Sequence, residues 1–185
     1  MALTSKLMTA DELFVLPDHG MRHELVRGEL RTMAPAGHNH GDIGSELLLR
    51  LRSHAKANGL GKVVGPDTGY LLSRDPDNVR APDVSFVRLS RLPPLPVNTF
   101  FPGAPDRAVE ILSPSDTVEE LEELEEKLAD YFAAGTLTVW IVKPRTKSID
   151  ILGPAGLIQS LKSEDTLTAP DLLPGFMCKV AEIFA

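Results

Sequence analysis

The chain has a single cysteine, Cys178, so no intrachain disulfide can form; this suits a reducing compartment and a buried apolar filler rather than a nucleophile. It has no run of 18 or more apolar residues, so no membrane span is expected. Met1 to Asp11 lacks the basic stretch, apolar block and cleavage site of a signal peptide, and a cytoplasmic location is expected. No Gly-x-Ser-x-Gly turn is present, which removes a nucleophile-elbow hydrolase, and no Gly-rich loop precedes Lys-Ser/Thr, which removes a phosphate-binding NTPase loop. Basic excess is missing too. The formal charge of −7 argues against coating nucleic acid by electrostatics alone, although six glutamates between Glu119 and Glu126 account for most of it.

What is present is an ordinary globular composition, 43% hydrophobic and 24% charged over 185 residues, enough for one domain spanning 1–185 with a sizeable core. Thr9 and Glu12 have capping-box spacing and predict a short helix through Glu12 to Leu16. Arg22–Val26 and Glu29–Met33 flank Arg27-Gly28 and predict a hairpin. Ile43, Leu47 and Leu51 recur every four residues, predicting a helix from about Gly41 to Asn58 closed by Gly59 and Gly61. Strands are expected over Lys62–Gly65, Asp67–Ser73 and Asp83–Arg88, the last beginning at a sheet edge, then a five-proline loop from Ser90 to Pro105. Arg107–Leu112 and Thr138–Val142 have the look of central strands. Between them a helix capped by Asp116 and Glu119 runs to about Ala134, turning Leu121, Leu124, Leu128 and Phe132 inward. Ser148–Leu152, Leu157–Leu161 and Pro174-Gly175 form an antiparallel C-terminal extension. Helices alternating with strands give an α/β (α+β) class: a mixed sheet flanked by helices.

Glu110 is the residue needing explanation. It interrupts Ala108-Val109-Glu110-Ile111-Leu112 and shares a strand face with Ala108 and Leu112. It is either a surface-facing glutamate on a one-sided strand, which its same-face neighbours disfavour, or a carboxylate pointing at a cation, since buried charges are paired or bind metals. Asp83 opens the apolar run Val84-Ser85-Phe86-Val87. The Pro82-Asp83 dipeptide alone carries nothing, because Pro-Asp occurs six times. What distinguishes Asp83 is the strand behind it: two adjacent strands would set both carboxylates around one hard ion. Oxygen ligands without thiolates point to Mg²⁺ or Mn²⁺. Lys127 flanks the apolar stripe of its helix, where it either serves that site or makes an i,i+4 pair with Glu123. His38-x-His40-x-Asp42 has part of the spacing of a dinuclear metallo-hydrolase motif, but Ile43 stands where a further histidine is wanted.

These stretches carry a resemblance. His23-Glu24-Leu25-Val26-Arg27-Gly28-Glu29-Leu30, Ala81-Pro82-Asp83-Val84, Pro105-Asp106 through Val109-Glu110-Ile111-Leu112-Ser113-Pro114-Ser115, Lys127 with Tyr131, Ala134-Gly135 and Trp140-Ile141-Val142 resemble the putative restriction endonuclease family of the PD-(D/E)XK nuclease superfamily. The resemblance implies a restriction-endonuclease-like fold and a metal-dependent nuclease acting on nucleic acid, DNA foremost. Asp83, Glu110 and the carbonyl of Ile111 would hold one Mg²⁺ (or Mn²⁺), and Lys127 would act on the attacking water. Leu112 stands where the superfamily pattern places lysine, and Lys127 on the next helix takes that part, as in similar families. Glu24 would be a further acid near the metal; from the residues alone it is equally an exposed acid paired with Arg22 or Arg27. His40 matches a family histidine position and would contact phosphate, helix N-termini attracting anions, or else serve as a cap or surface group. The rival to an enzyme is a catalytically inactive scaffold of the same fold that binds nucleic acid or a protein partner. Double-strand cleavage needs two sites, so a homodimer is expected.

Overall fold

The computed structural model describes residues 6–17, 21–94, 98–113 and 117–185. In chain order the elements are α1 (Ala10–Phe14), β1 (Arg22–Val26), β2 (Glu29–Met33), α2 (His38–Ala57), β3 (Gly61–Val64), β4 (Tyr70–Ser73), β5 (Asn78–Arg80), β6 (Val84–Arg88), β7 (Phe101–Pro102), β8 (Arg107–Ile111), α3 (Val118–Ala133), β9 (Thr138–Lys143), β10 (Ser148–Gly153), β11 (Gly156–Leu161), β12 (Thr166–Thr168), β13 (Met177–Lys179) and α4 (Val180–Ile183).

Local chemistry accounts for most boundaries. Thr9 accepts from the Glu12 amide while Glu12 reaches back to Thr9, so the predicted capping box exists. The β1–β2 hairpin turns on Arg27 and Gly28, both at positive φ (50° and 81°), the pair of left-handed residues that a tight two-residue turn requires. α2 begins at His38, earlier than periodicity suggests, and ends before Gly59, whose φ of 62° supplies the left-handed stop. The N-cap of α3 is Thr117, boxed with Glu120, rather than Glu119, which lies in the first turn; Asp116 falls outside the described residues. The strand expected from Asp67 starts only at Tyr70, because Asp67 itself sits at φ 65°. β5 has no counterpart in the sequence reading. It has three residues and no alternation, and only pairing with β1 and β4 makes it a strand.

The expected mixed α/β class with flanking helices holds, but among the described residues it is divided into three sheets rather than one. A six-stranded sheet runs β11-β10-β9-β8-β6-β3, a five-stranded sheet β2-β1-β5-β4-β7, and β12-β13 form an antiparallel pair. The first two are mixed, through the parallel pairs β8–β9 and β4–β7. β6 lies between β8 and β3, so Asp83 does not open an edge strand.

The six-stranded sheet separates two apolar layers. On one face Val84, Phe86, Val109, Ile111, Trp140 and Val142 meet Ile43, Leu47, Leu51 and Ala55 of α2. Cys178 is buried in this same cluster, as expected of a filler. On the other face Ala108, Val139 and Ile141 meet Tyr131, with Leu112, Leu124, Leu128 and Phe132 packed around them. Leu121 does not join; it is 43% exposed. Strand alternation sends residues 109 and 111 to α2, and 108 and 110 to α3. Glu110 therefore points at α3 because its neighbours in β8 satisfy α2. No helix among the described residues is long and apolar enough to cross a membrane. Leu47→Ala, which empties a fully buried position between helix and sheet, is expected to cost about 2–5 kcal/mol in denaturant unfolding.

Candidate active site

The antiparallel register of β6 and β8 pairs Val84 with Val109 and Ser85 with Ala108, which brings Asp83 alongside Glu110. Asp83 N–H donates to the Val109 carbonyl (3.1 Å), extending the ladder by one residue and fixing the aspartate backbone. Both carboxylates line a cleft of about 530 Å³ together with Arg22, His40, Ile111 and Lys127. Residues far apart in the chain thus meet through strand register and one helix.

Three acids and their partners form the floor. Glu110 is gripped at both oxygens from a single turn of α3: Tyr131 Oη donates to Oε1 at 2.7 Å, and Lys127 Nζ lies 3.4 Å from Oε2. Residues four apart on a helix share a face, and here that face reads one carboxylate. Lys127 is also 3.4 Å from Glu24 Oε1, so it bridges two acids and does not form the alternative pair with Glu123, which lies 3.9 Å from Arg31. Glu24 is 1% exposed and accepts from Ala81 N–H (3.0 Å) and Arg80 Nη1 (3.1 Å). It is therefore not the surface acid paired with Arg22 or Arg27: Arg22 turns to Asp83 (3.0 Å), and Arg27 to Glu126 (3.3 Å). Asp83 Oδ1 is shared by Arg22 Nη1 and His40 Nε2 (3.2 Å), while Oδ2 accepts from the Ile111 amide at 2.8 Å. His40, in the first turn of α2, thus faces the aspartate directly.

The electrostatics separate the acids. Burial would raise Asp83, but the His40 bond and charge, the Arg22 guanidinium and the Ile111 amide hold it down at about 2. Glu24 is likewise kept below its ordinary range by Lys127 and Arg80, which outweigh its burial. Glu110 goes the other way. Burial raises it, Lys127 opposes, and the nearby Asp83 and Glu24 carboxylates add to the rise. Lys127 is raised despite its burial, because Glu110 and Glu24 both favour the ammonium.

A pH test follows for Asp83. Its folded value lies below the ordinary 3.8, so its stabilisation is complete above that pH and is lost as pH falls toward and through about 2. Asp83→Asn is expected to flatten this acid limb by about 2 kcal/mol, measured as urea midpoints between pH 4 and 2.

Three further residues at the site were given no role in it by the sequence reading, although Tyr131 was quoted with Lys127 in the resemblance. Arg22 shares a strand face with Glu24 by two-residue spacing, and was weighed only as a partner for that acid. Tyr131 follows Lys127 by one helical turn, a spacing that could have marked it. Arg80 carried no signal, since its strand had none.

A family model, Uma2, described as putative restriction endonuclease, matches residues 10–181. The chain belongs to this family. Beyond the Uma2 model, the fold is similar to the crystal structure of a putative nuclease belonging to DUF820 from Anabaena variabilis ATCC 29413. The TM-score is 0.78 at 20% identity, covering 96% of this chain and 97% of that one. At that identity the likeness speaks for the fold, a nuclease-like α/β arrangement. Among curated proteins nothing matches the chain. Uma2 membership agrees with the resemblance carried by the Glu24, Asp83 and Glu110 stretches and places the chain among nuclease-like proteins in general.

The family pattern implies a divalent ion, and the donor set can be tested for it. Among the described residues no three His, Cys, Asp or Glu side chains are gathered as a ready cage, and the His38-x-His40-x-Asp42 spacing builds none. The oxygens are instead two carboxylates and a main-chain carbonyl. Ile111 N–H reaches Asp83, and the carbonyl of the same strand residue faces the same side. An all-oxygen set around an under-compensated buried Glu110 fits a hard cation such as Mg²⁺ or Mn²⁺.

Proposed function

We infer that this protein is a metal-dependent nuclease that hydrolyses phosphodiester bonds of nucleic acid, DNA in the first instance. The observation that carries the reading is the convergence of Asp83 and Glu110, from adjacent strands, on a cleft whose wall presents Lys127. Asp83, Glu110 and the Ile111 carbonyl would hold Mg²⁺ or Mn²⁺, which when bound supplies an activated water and polarises a phosphoryl oxygen.

The chain's own residues do the rest. Lys127, kept as an ammonium between Glu24 and Glu110, orients the attacking water and offsets charge developing at phosphorus. Its raised pKa favours that role over proton abstraction. Glu24 fixes Lys127 rather than acting directly on substrate, and Tyr131 fixes the plane of the Glu110 carboxylate. His40 stands at the cleft beside Asp83, within the positive end of α2, where a substrate phosphate would be met.

Purified protein with Mg²⁺ or Mn²⁺ is expected to nick plasmid DNA, and Asp83→Ala or Glu110→Ala to abolish it; cleavage unchanged in both variants would remove the reading. The inactive scaffold is favoured by one observation, the occupation of Asp83 Oδ1 by Arg22 and His40. Calorimetric Mn²⁺ binding without cleavage would select it. A homodimer would give the two active centres that double-strand cleavage requires; a light-scattering mass of one chain would count against it.

A further inference from the structure

Arg22 occupies the place where a metal would have to act, and its surroundings do not hold it fully. Nη1 donates to Asp83 Oδ1 at 3.0 Å and Nη2 to the Ala81 carbonyl. Nε is buried without a hydrogen-bond partner among the described residues; its nearest carboxylate, Asp67 Oδ1, is 3.7 Å away on an exposed turn residue. The side chain stands in the wall between two cavities, the cleft of about 530 Å³ and a neighbouring one of about 630 Å³, and lines both. It is thus a cation with room on either side.

Asp83 has two oxygens, and Oδ2 is tied to the Ile111 amide inside the sheet. Oδ1 is the other oxygen, and both Arg22 Nη1 (3.0 Å) and His40 Nε2 (3.2 Å) are on it, Arg22 being the permanent cation of the two. A divalent ion bound at about 2.0–2.6 Å from that oxygen would place two like-signed groups side by side. The guanidinium must leave. Its charge is still needed, because the floor sets three carboxylates (Glu24, Asp83, Glu110) against two permanent cations (Arg22, Lys127), with Arg80 shared between Glu24 and Asp130. Adding a doubly charged ion reverses the sign of the imbalance, and a phosphodiester restores neutrality. A planar guanidinium freed beside that phosphate can grip it with two donors.

Resting on the metal-dependent reading above, we propose that Arg22 is a substrate-binding residue that exchanges partners: it caps Asp83 in the empty enzyme and moves to the substrate phosphate when the metal takes that carboxylate. A residue that merely props Asp83 in place would have the opposite effect on metal binding, so the sign of one measurement decides.

Mn²⁺ titration calorimetry on the full chain is the first arm. Arg22→Gln is expected to bind Mn²⁺ about tenfold tighter than the wild type, the effect of deleting one like charge close by, while Arg22→Lys, which keeps the charge, stays near the wild type. The second arm is anisotropy of a labelled DNA duplex in Ca²⁺, where Arg22→Gln is expected to bind about tenfold more weakly, each charge-assisted phosphate contact being worth about that much. Unchanged or weaker Mn²⁺ binding by Arg22→Gln, or unchanged DNA binding, overturns the exchange and leaves the metal reading standing. Failure of the wild type itself to bind Mn²⁺ overturns the metal reading. Should the glutamine variant not fold, a crystal structure of the wild type with Mn²⁺ answers the same question: Arg22 still bonded to Asp83 Oδ1 beside a bound ion overturns the proposal.

Discussion

Glu110→Gln is expected to do two opposite things, lose DNA cleavage by roughly 10²–10³-fold and raise stability at neutral pH. The first follows from the proposed role of Glu110 as one of two carboxylates holding the metal. The second follows from its surroundings. Burial and the neighbouring Asp83 and Glu24 carboxylates raise its folded pKa above the ordinary 4.5. A carboxyl with a raised folded value binds its proton more tightly in the fold than in the unfolded chain. Its contribution to stability is therefore greatest below the ordinary value and declines as pH climbs through the folded one. At neutral pH the ionised side chain costs the fold something, and glutamine removes that cost. Glutamine still offers an acceptor to the Tyr131 hydroxyl, and Lys127 keeps Glu24. Urea midpoints should favour the variant at pH 7 and converge with the wild type in acid. A variant less stable at pH 7 would mean that the Lys127 and Tyr131 bonds outweigh the repulsion, and retained cleavage would deny Glu110 its role. Stability given up for a charged, desolvated centre is what a functional site commonly shows.

Arg80→Met is expected to destabilise the protein by about 3–5 kcal/mol, because it takes the cation from Asp130 and leaves the buried Glu24 with Lys127 alone, itself shared with Glu110. Arg80 Nη1 donates to Glu24 (3.1 Å), Nε and Nη2 donate to Asp130 (2.8 and 2.6 Å), and Nη2 also lies 3.4 Å from Glu126. One guanidinium thus ties β1 to α3 through β5, and the same helix carries Lys127 and Tyr131 to Glu110. Glu126 and Asp130 hold Arg80 by the same four-residue spacing with which Lys127 and Tyr131 hold Glu110. For a chain of this size the thermal midpoint should fall by roughly 6–20 °C. Arg80→Lys should recover only part of the loss, since an ammonium cannot fork between two acids. A loss below about 1 kcal/mol, the range of exposed ion pairs, would show that these acids tolerate solvent instead.

Much of the candidate site was legible. Glu110 announced itself by interrupting an apolar strand, and Asp83 by standing at the head of another. The helix carrying Lys127 was legible from its periodicity. The pairing partners were not. Lys127 had Glu123 at ideal helical spacing, yet it turns to Glu24 and Glu110, because burying the ammonium between two acids outweighs one exposed pair. From the residues alone Glu24 was equally an exposed hairpin acid, while the resemblance put it near the metal; it is buried, in a strand that pairs with β5.

Local patterns settled what local energies can settle: the capping box at Thr9, the left-handed turn at Arg27-Gly28, the apolar stripe of α2, and the strand alternation that sets Glu110 on one face with Ala108 and Leu112. Those depend on residues within a few positions of one another. The interior place of β6 depends on pairing with β3 and β8, roughly 20 or more positions away, and the grouping of Arg22, Arg80 and His40 around the acids depends on contacts between residues 40 or more positions apart. No spacing encodes such contacts. They arise when burial of the apolar faces brings the strands together and each buried charge takes the nearest opposite one.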